Sequence, residues 1–186
     1  MPRPTKQEIE DEILETAATL FARHGFKETS IQRVADAVGY SKTGLLHRFP
    51  TKEALQEAVI ERAIAEMRAI AAEADGLPVG PERDRVVITG VAELAIQRPG
   101  AVALLLSGLM SAPESAMLQQ VGAVVFTAFG VADPECVAET DLPRMLRIVG
   151  ALGALAVTAV ALHDKLTPAA LDDIAEVGYD ALGHPR

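Results

Sequence analysis

Residues 29–52 read TSIQRVADAVGYSKTGLLHRFPTK. Ser30 is a good N-cap for a short helix, and Ile31, Val34, Ala35 and Val38 follow it at i, i+3, i+4 and i+7 spacing. Gly39 turns the chain at little steric cost. Ser41 suits the N-cap of a second short helix, Lys42 to Phe49, with Leu45 and Phe49 on one face and Pro50 closing it. Two short helices joined by a tight glycine turn are helix-turn-helix geometry, here over residues 30–49. Ala35 is small where the helices must cross, and Val34, Val38 and Leu45 bury the inner face. The outer face of Lys42–Arg48 is thereby free to enter a major groove.

Charge has to be read by region. The 186 residues carry a net charge of −9, which taken whole argues against nucleic acid. Residues 1–52, however, hold eight Lys/Arg against seven Asp/Glu, so the acid lies in the remainder. Val38 to Lys52 contains Lys42, Arg48, Lys52 and His47 and no acid at all. A local basic patch of this kind decides contact with DNA.

Outward from this stretch the pattern stays helical. Thr5 and Glu8 read as a capping box opening a helix through Ile9, Ile13, Leu14, Ala17, Leu20 and Phe21, with Gly25 expected as its left-handed cap. Arg3 and Lys6 form a basic start that is either a tail or an arm near the DNA backbone. Thr51 caps a long fourth helix that ends near Gly76-Leu77-Pro78. Helices are predicted near 83–97, 101–111, 114–129, 143–163 and 168–182, punctuated by proline. No stretch alternates with period two, so the expected fold is all-α.

Composition excludes several classes. Apolar residues make up 49% and charged residues 23%, which supports a packed core. The single Cys136 permits neither an internal disulfide nor a Cys-based zinc site, and no metal or cofactor is expected. The basic start lacks a following apolar region, so a cytoplasmic protein is expected. The apolar run Ile148–Leu162 is shorter than the roughly 18 residues of a membrane span. No phosphate loop, nucleophile elbow or HExxH motif is present, and His163-Asp164 reads as a helix-end pair rather than a catalytic dyad. An enzyme is not expected.

Over roughly residues 7–67 the chain resembles the tetracycline-repressor (TetR) family of transcription regulators. The resemblance lies in LFARHGFKETS, IQRVADAVGYSKTGLLHRF and PTKEAL. It implies a DNA-binding head over 1–52 and a helical ligand-binding and dimerisation body over 53–186. It implies that Ser30 caps helix two and touches phosphate, and that Gln32 and Arg33 reach bases or phosphate. Ser41, Lys42, Thr43 and Gly44 would open the recognition helix. Leu46 and His47 occupy positions often filled by Tyr and His, with Arg48 beside them. Lys52 resembles the family's phosphate clamp at a helix N-terminus. Leu46 in place of Tyr loses a hydroxyl contact, and Gly44 removes a side chain from a reading position.

The resemblance also implies a homodimer built from the last two helices. The segment IVGALGALAVTAVAL, residues 148–162, is apolar nearly all round, so more than one face must be buried. Gly150, Gly153, Ala154 and Val157 allow close helix approach, with Ile174, Val177 and Gly178 on the second dimer helix; a core helix of a monomer is the alternative. Family members usually bind a small effector between body helices, and Leu106, Met110, Met117, Phe126 and Phe129 are candidates to line that site, or are plain core. Ser107, Thr127 and Thr158 either orient a ligand or bond to backbone. The expected function is a regulator, a repressor released from a palindromic double-stranded operator by an apolar or weakly polar effector. A helical interaction module with a non-functional DNA head is the alternative.

Overall fold

A computed structural model describes residues 5–111, 116–131 and 142–184, with the side chains of Met117 and Leu118 left out. Arg3 and Cys136 lie outside the described residues. Within them the chain is helical, without strands: α1 Lys6–His24, α2 Ile31–Ala37, α3 Lys42–Arg48, α4 Lys52–Glu73, α5 Pro81–Gln97, α6 Pro99–Ser111, α7 Ala116–Ala128, α8 Leu142–Ala161 and α9 Leu171–Leu182, the last entered through a 3-10 turn at Pro168–Ala170.

The capping box on α1 is complete. The Thr5 N–H donates to Glu8 Oε2 at 2.7 Å and the Glu8 N–H donates to Thr5 Oγ1 at 3.2 Å. The other end of α1 differs from expectation. Gly25 has φ 81° but ψ 157°, so the chain leaves α1 in an extended, glycine-only conformation rather than a left-handed helical cap. Thr29, fully buried, closes this corner by donating its hydroxyl to the Gly25 carbonyl at 2.9 Å, with the Leu20 carbonyl at 3.2 Å.

Two apolar cores share α4. The head core gathers Ile13, Leu14 and Phe21 of α1, Ile31 and Val34 of α2, Leu45 of α3 and Leu55 and Val59 of α4. The body core begins at Ile64 and Met67 of the same helix and adds Val87, Ile88, Phe129, Ile148, Leu155 and Ile174. The first two turns of α4 thus complete the head, beyond residue 52.

The head is also fastened to the body where α1 crosses α6. Gly100 stands at the second residue of α6, and its N–H donates to the Glu15 carboxylate of α1. That carboxylate satisfies one of the orphan donors at a helix N-terminus and sits where the dipole favours it. No larger residue fits: a Cβ on Gly100 would collide with Thr19 Oγ1 and stand 2.8 Å from the Glu15 carbonyl. Burial pushes the Glu15 carboxyl up, against the lowering pull of the Gly100 N–H and of Arg62 and Arg98.

Among the described residues one helix, α8, is long and apolar enough to cross a membrane. Its Arg144 and Arg147 are nonetheless tied into the fold, Arg144 to the fully buried Asp84 at 2.8 and 3.0 Å and Arg147 to the Leu182 carbonyl.

Gly100→Ala should destabilise the protein by about 1–3 kcal/mol through forced separation of α1 and α6, read by chemical unfolding; unchanged stability would contradict the tight crossing. The capping box carries a pH signature. Hydrogen bonds from the Thr5 backbone and then its side chain hold the Glu8 carboxyl below its ordinary 4.5. Its contribution is therefore full above 4.5 and lost as pH falls through the lower folded value. Protection of the first-turn amides of α1, measured against their intrinsic exchange rates at each pH, should fall over that interval, and Glu8→Gln should abolish that loss of protection.

Candidate nucleic-acid interface

Each helix of the head starts on a side-chain cap that matches its sequence signal. Ser30 Oγ accepts from the Arg33 N–H at 3.1 Å, Ser41 Oγ from the Gly44 N–H at 3.0 Å, and Thr51 Oγ1 from the Ala54 N–H at 3.0 Å. Between α2 and α3 Gly39 takes φ 69°, and the Tyr40 N–H returns to the Ala35 carbonyl at 2.8 Å. Leu45 is fully buried and Phe49 nearly so, which fixes the rotation of α3 about its axis.

That rotation brings Ser41, Lys42, Thr43, Gly44 and His47 to the exposed side. Among the described residues no hydrogen bond or ion pair holds the side chains of Lys42, Thr43 or His47. The face is basic, and it costs no internal contact to use it.

The other expected contacts are partly occupied. Gln32 is exposed and donates to Asp36 at 2.6 Å. An Arg33 terminal nitrogen lies 2.9 Å from His24 Nε2, which ties α2 to the end of α1. Leu46 is half-buried against the head core rather than standing free. Arg48 turns back to α1, meeting Glu10 at 3.1 Å and the Lys6 carbonyl at 3.3 Å. Lys52 also faces inward: its ammonium donates to the Phe26 carbonyl at 2.7 Å and the Lys27 carbonyl at 3.2 Å, and rests 4.3 Å from the Phe26 ring centroid. It braces the α1–α2 corner, with one donor of three left over.

Tyr40 was not among the expected contacts. It is exposed in the turn directly before Ser41. Its place inside the acid-free stretch 38–52 was the available signal.

The body holds a cavity of about 870 Å³ between α4, α5, α6, α7 and α8. This lies within the range of small-molecule sites. Leu106, Met110 and Phe126 line it as expected, along with Leu105, Val125 and Leu152. Phe129 does not. It is fully buried in the body core, and its carbonyl accepts from Arg144 at 2.7 Å. The Met117 side chain lies outside the described residues. The Thr127 hydroxyl donates to its own helix, at the Ala123 carbonyl.

Two of the expected dimer residues are likewise internal. Ile174 is buried, and Gly178 is where α9 crosses α8 within one chain: a Cβ there would stand 3.0 Å from Leu155 Cδ1. Gly150 and Val157 of α8 and Val177 of α9 are exposed, with Gly153 and Ala154 half-buried. The exposed stripe of α8 is longer than expected, because Leu142, Leu146 and Val149 join it, each more than half exposed.

The head thus has the geometry of a helix-turn-helix DNA-binding unit. A family model described as bacterial regulatory proteins, tetR family, matches residues 13–59. In the same region the chain is 42% identical over 50 residues to the HTH-type transcriptional repressor KstR2 of Mycolicibacterium smegmatis, 27% of this chain and 24% of that protein. It is 42% identical over 52 residues to the HTH-type transcriptional regulator RutR of Escherichia coli K12, 28% of this chain and 24% of that protein. These matches span about a quarter of the relatives' length. Among solved structures, a TetR-like transcriptional regulator from Rhodococcus sp. RHA1 superposes with a TM-score of 0.65 at 19% identity, over 97% of this chain and 96% of that one. Mycobacterium smegmatis AmtR gives 0.61 at 24% identity, over 100% and 91%. The head is thus similar to the TetR-family model over residues 13–59, and the chain shares the fold of these solved structures.

Lys52→Met keeps an apolar stem over Phe26 but removes the ammonium. It should lower the stability of the free protein by about 1–2 kcal/mol in urea unfolding. No change would show that Lys52 is not a brace of this corner.

Proposed function

We propose that this protein is a DNA-binding transcriptional regulator, acting as a homodimeric repressor in the cytoplasm and released from a palindromic operator by a small apolar effector. The observation that carries the DNA-binding reading is the uncommitted basic face of α3: Lys42, Thr43 and His47 are exposed on a helix whose inner face is locked by Leu45 and Phe49. Side chains of this kind read base edges in the major groove, and the capped N-termini of α2 and α4 suit phosphate.

A single α3 reads only a few base pairs, and two-fold symmetry supplies the second half-site. The α8 stripe of Leu142, Leu146, Val149 and Val157 supports a second copy of this chain as its cover, since an apolar patch of that length is a poor surface for a monomer. The cavity supports the effector reading. Its wall reaches that same α8 through Val149, Gly153 and Val157, so a ligand there touches the helix that sets the spacing of the two heads. A population shift between two such spacings releases DNA. The interaction-module alternative has no comparable support, because nothing in the head obstructs α3.

Selection of bound fragments from total genomic DNA should enrich a palindrome. Lys42→Ala should weaken that complex by about 1–3 kcal/mol and relax base preference at the position it reads, or, if it meets phosphate, lower the salt slope by about one. A stable dimer that enriches nothing even at low salt would overturn the reading.

A further inference from the structure

A smaller cavity, of about 390 Å³, lies at the junction of the head and the body. One wall is the end of α1, where Thr19, Ala22 and Arg23 stand at i, i+3 and i+4. The facing wall is a stripe on α6, Gly100, Ala103, Leu106 and Met110, every third or fourth residue. Val160 of α8 closes the space, with His163 just beyond that helix. The cavity begins where the two helices are closest. At Gly100 a methyl has no room beside Thr19, yet further along the small side chains of Ala22 and Ala103 leave a space within the small-molecule range. Arg23, Met110 and His163 are exposed, so the cavity opens to solvent along that edge.

Its chemistry is one-sided. Among the described residues the lining is apolar except for Thr19, Arg23, Ser107 and His163, and it holds no carboxylate. Thr19 donates its hydroxyl to the Glu15 carbonyl at 3.0 Å. His163 is committed as well, with Nδ1 3.2 Å from the Val160 carbonyl and Nε2 3.0 Å from Asp164. Arg23 is different: no hydrogen bond or ion pair holds its guanidinium among the described residues. After Glu15, α1 carries no acid, and α6 carries no charged residue at all. Of the acids beside the cavity, Glu15 is bound to the Gly100 N–H and Arg62, and Asp164 to His163. An unpaired guanidinium at the mouth of an apolar space suits an anion with an apolar body, since its fork of donors matches a carboxylate.

We propose that this junction cavity is a second ligand site, which takes a small amphipathic anion. The apolar part rests on Ala22, Ala103 and Leu106, and the carboxylate meets Arg23. An occupant touches the head through α1 and the body through α6 at once, so it stiffens the joint between them. The inference stands apart from the effector reading of the body cavity. The two spaces share only Leu106 and Met110, and no residue of α1 lines the larger one.

The test uses the full chain and two matched probes, 4-isopropylbenzoate and the neutral 4-isopropylbenzamide, titrated calorimetrically at low salt. Wild type should bind the benzoate about fivefold more tightly than the amide. Arg23→Gln should remove that preference and leave amide binding unchanged. Ala103→Leu should fill the cavity and weaken both probes about tenfold or more. Gly122→Leu fills the body cavity instead, where nothing stands within 4 Å of the added Cβ, and should leave both within about twofold. Bound benzoate should also slow amide exchange over residues 19–24. Probes lost in Gly122→Leu but not in Ala103→Leu would sit in the body cavity, and the inference would fall. Failure of both probes to bind would overturn it too, and leave the effector reading untouched. A charge preference that survives Arg23→Gln would overturn the role of Arg23, and unaltered exchange in α1 would overturn the junction as the place of binding. If Ala103→Leu instead weakened self-association in sedimentation, a second copy of the chain would own the cavity. Arg23 is an exposed side chain, so the charge preference stays readable even if Ala103→Leu fails to fold.

Discussion

The crossing of α1 over α6 governs the geometry of this molecule. At Gly100 the start of a body helix lies directly on the side of a head helix, close enough that a single methyl has no room. The Glu15 carboxylate completes the contact by capping α6. With α4 running through both cores, the head has two attachments to the body rather than one flexible link. A shift of α6 or α4 must then be felt in α1, which supplies much of the floor on which α2 and α3 rest.

The charged cluster around this crossing carries a cost. Arg62 and Arg98 are removed from much of their water, and burial, with the like charge of Arg98, lowers the pKa of Arg62 against the pull of Glu66, Glu15 and Asp11. Buried ion pairs contribute little net stability but depend strongly on geometry. Asp11, Glu15, Arg62, Glu66 and Arg98 form one ion-pair cluster beside this crossing, with Arg98 meeting both Asp11 and Glu66 at 3.2 Å. The apolar cores on either side do the holding.

The helices were legible in the sequence wherever a cap and an apolar period agreed, as at Thr5, Ser30, Ser41 and Thr51. The inward turn of α3 could be read from Leu45 and Phe49, and its exposed basic face followed. Long-range contacts were not legible, because nothing local marks them. Lys52 and Arg48 read as DNA-contact candidates, and the partners that hold them within the head, the Phe26 carbonyl and Glu10, are 26 and 38 residues away. Periodicity marked Phe129, Ile174 and Gly178 as apolar or small but not which neighbour would cover them, and the protomer's own core does.

The most direct test of the account is a hydroxyl-radical footprint of the purified protein on a genomic fragment it selects. The account predicts two protected patches in successive major grooves, about one helical turn apart, related by two-fold symmetry and lost together in Lys42→Ala. A single patch, diffuse protection without symmetry, or a footprint that survives Lys42→Ala unchanged would contradict it.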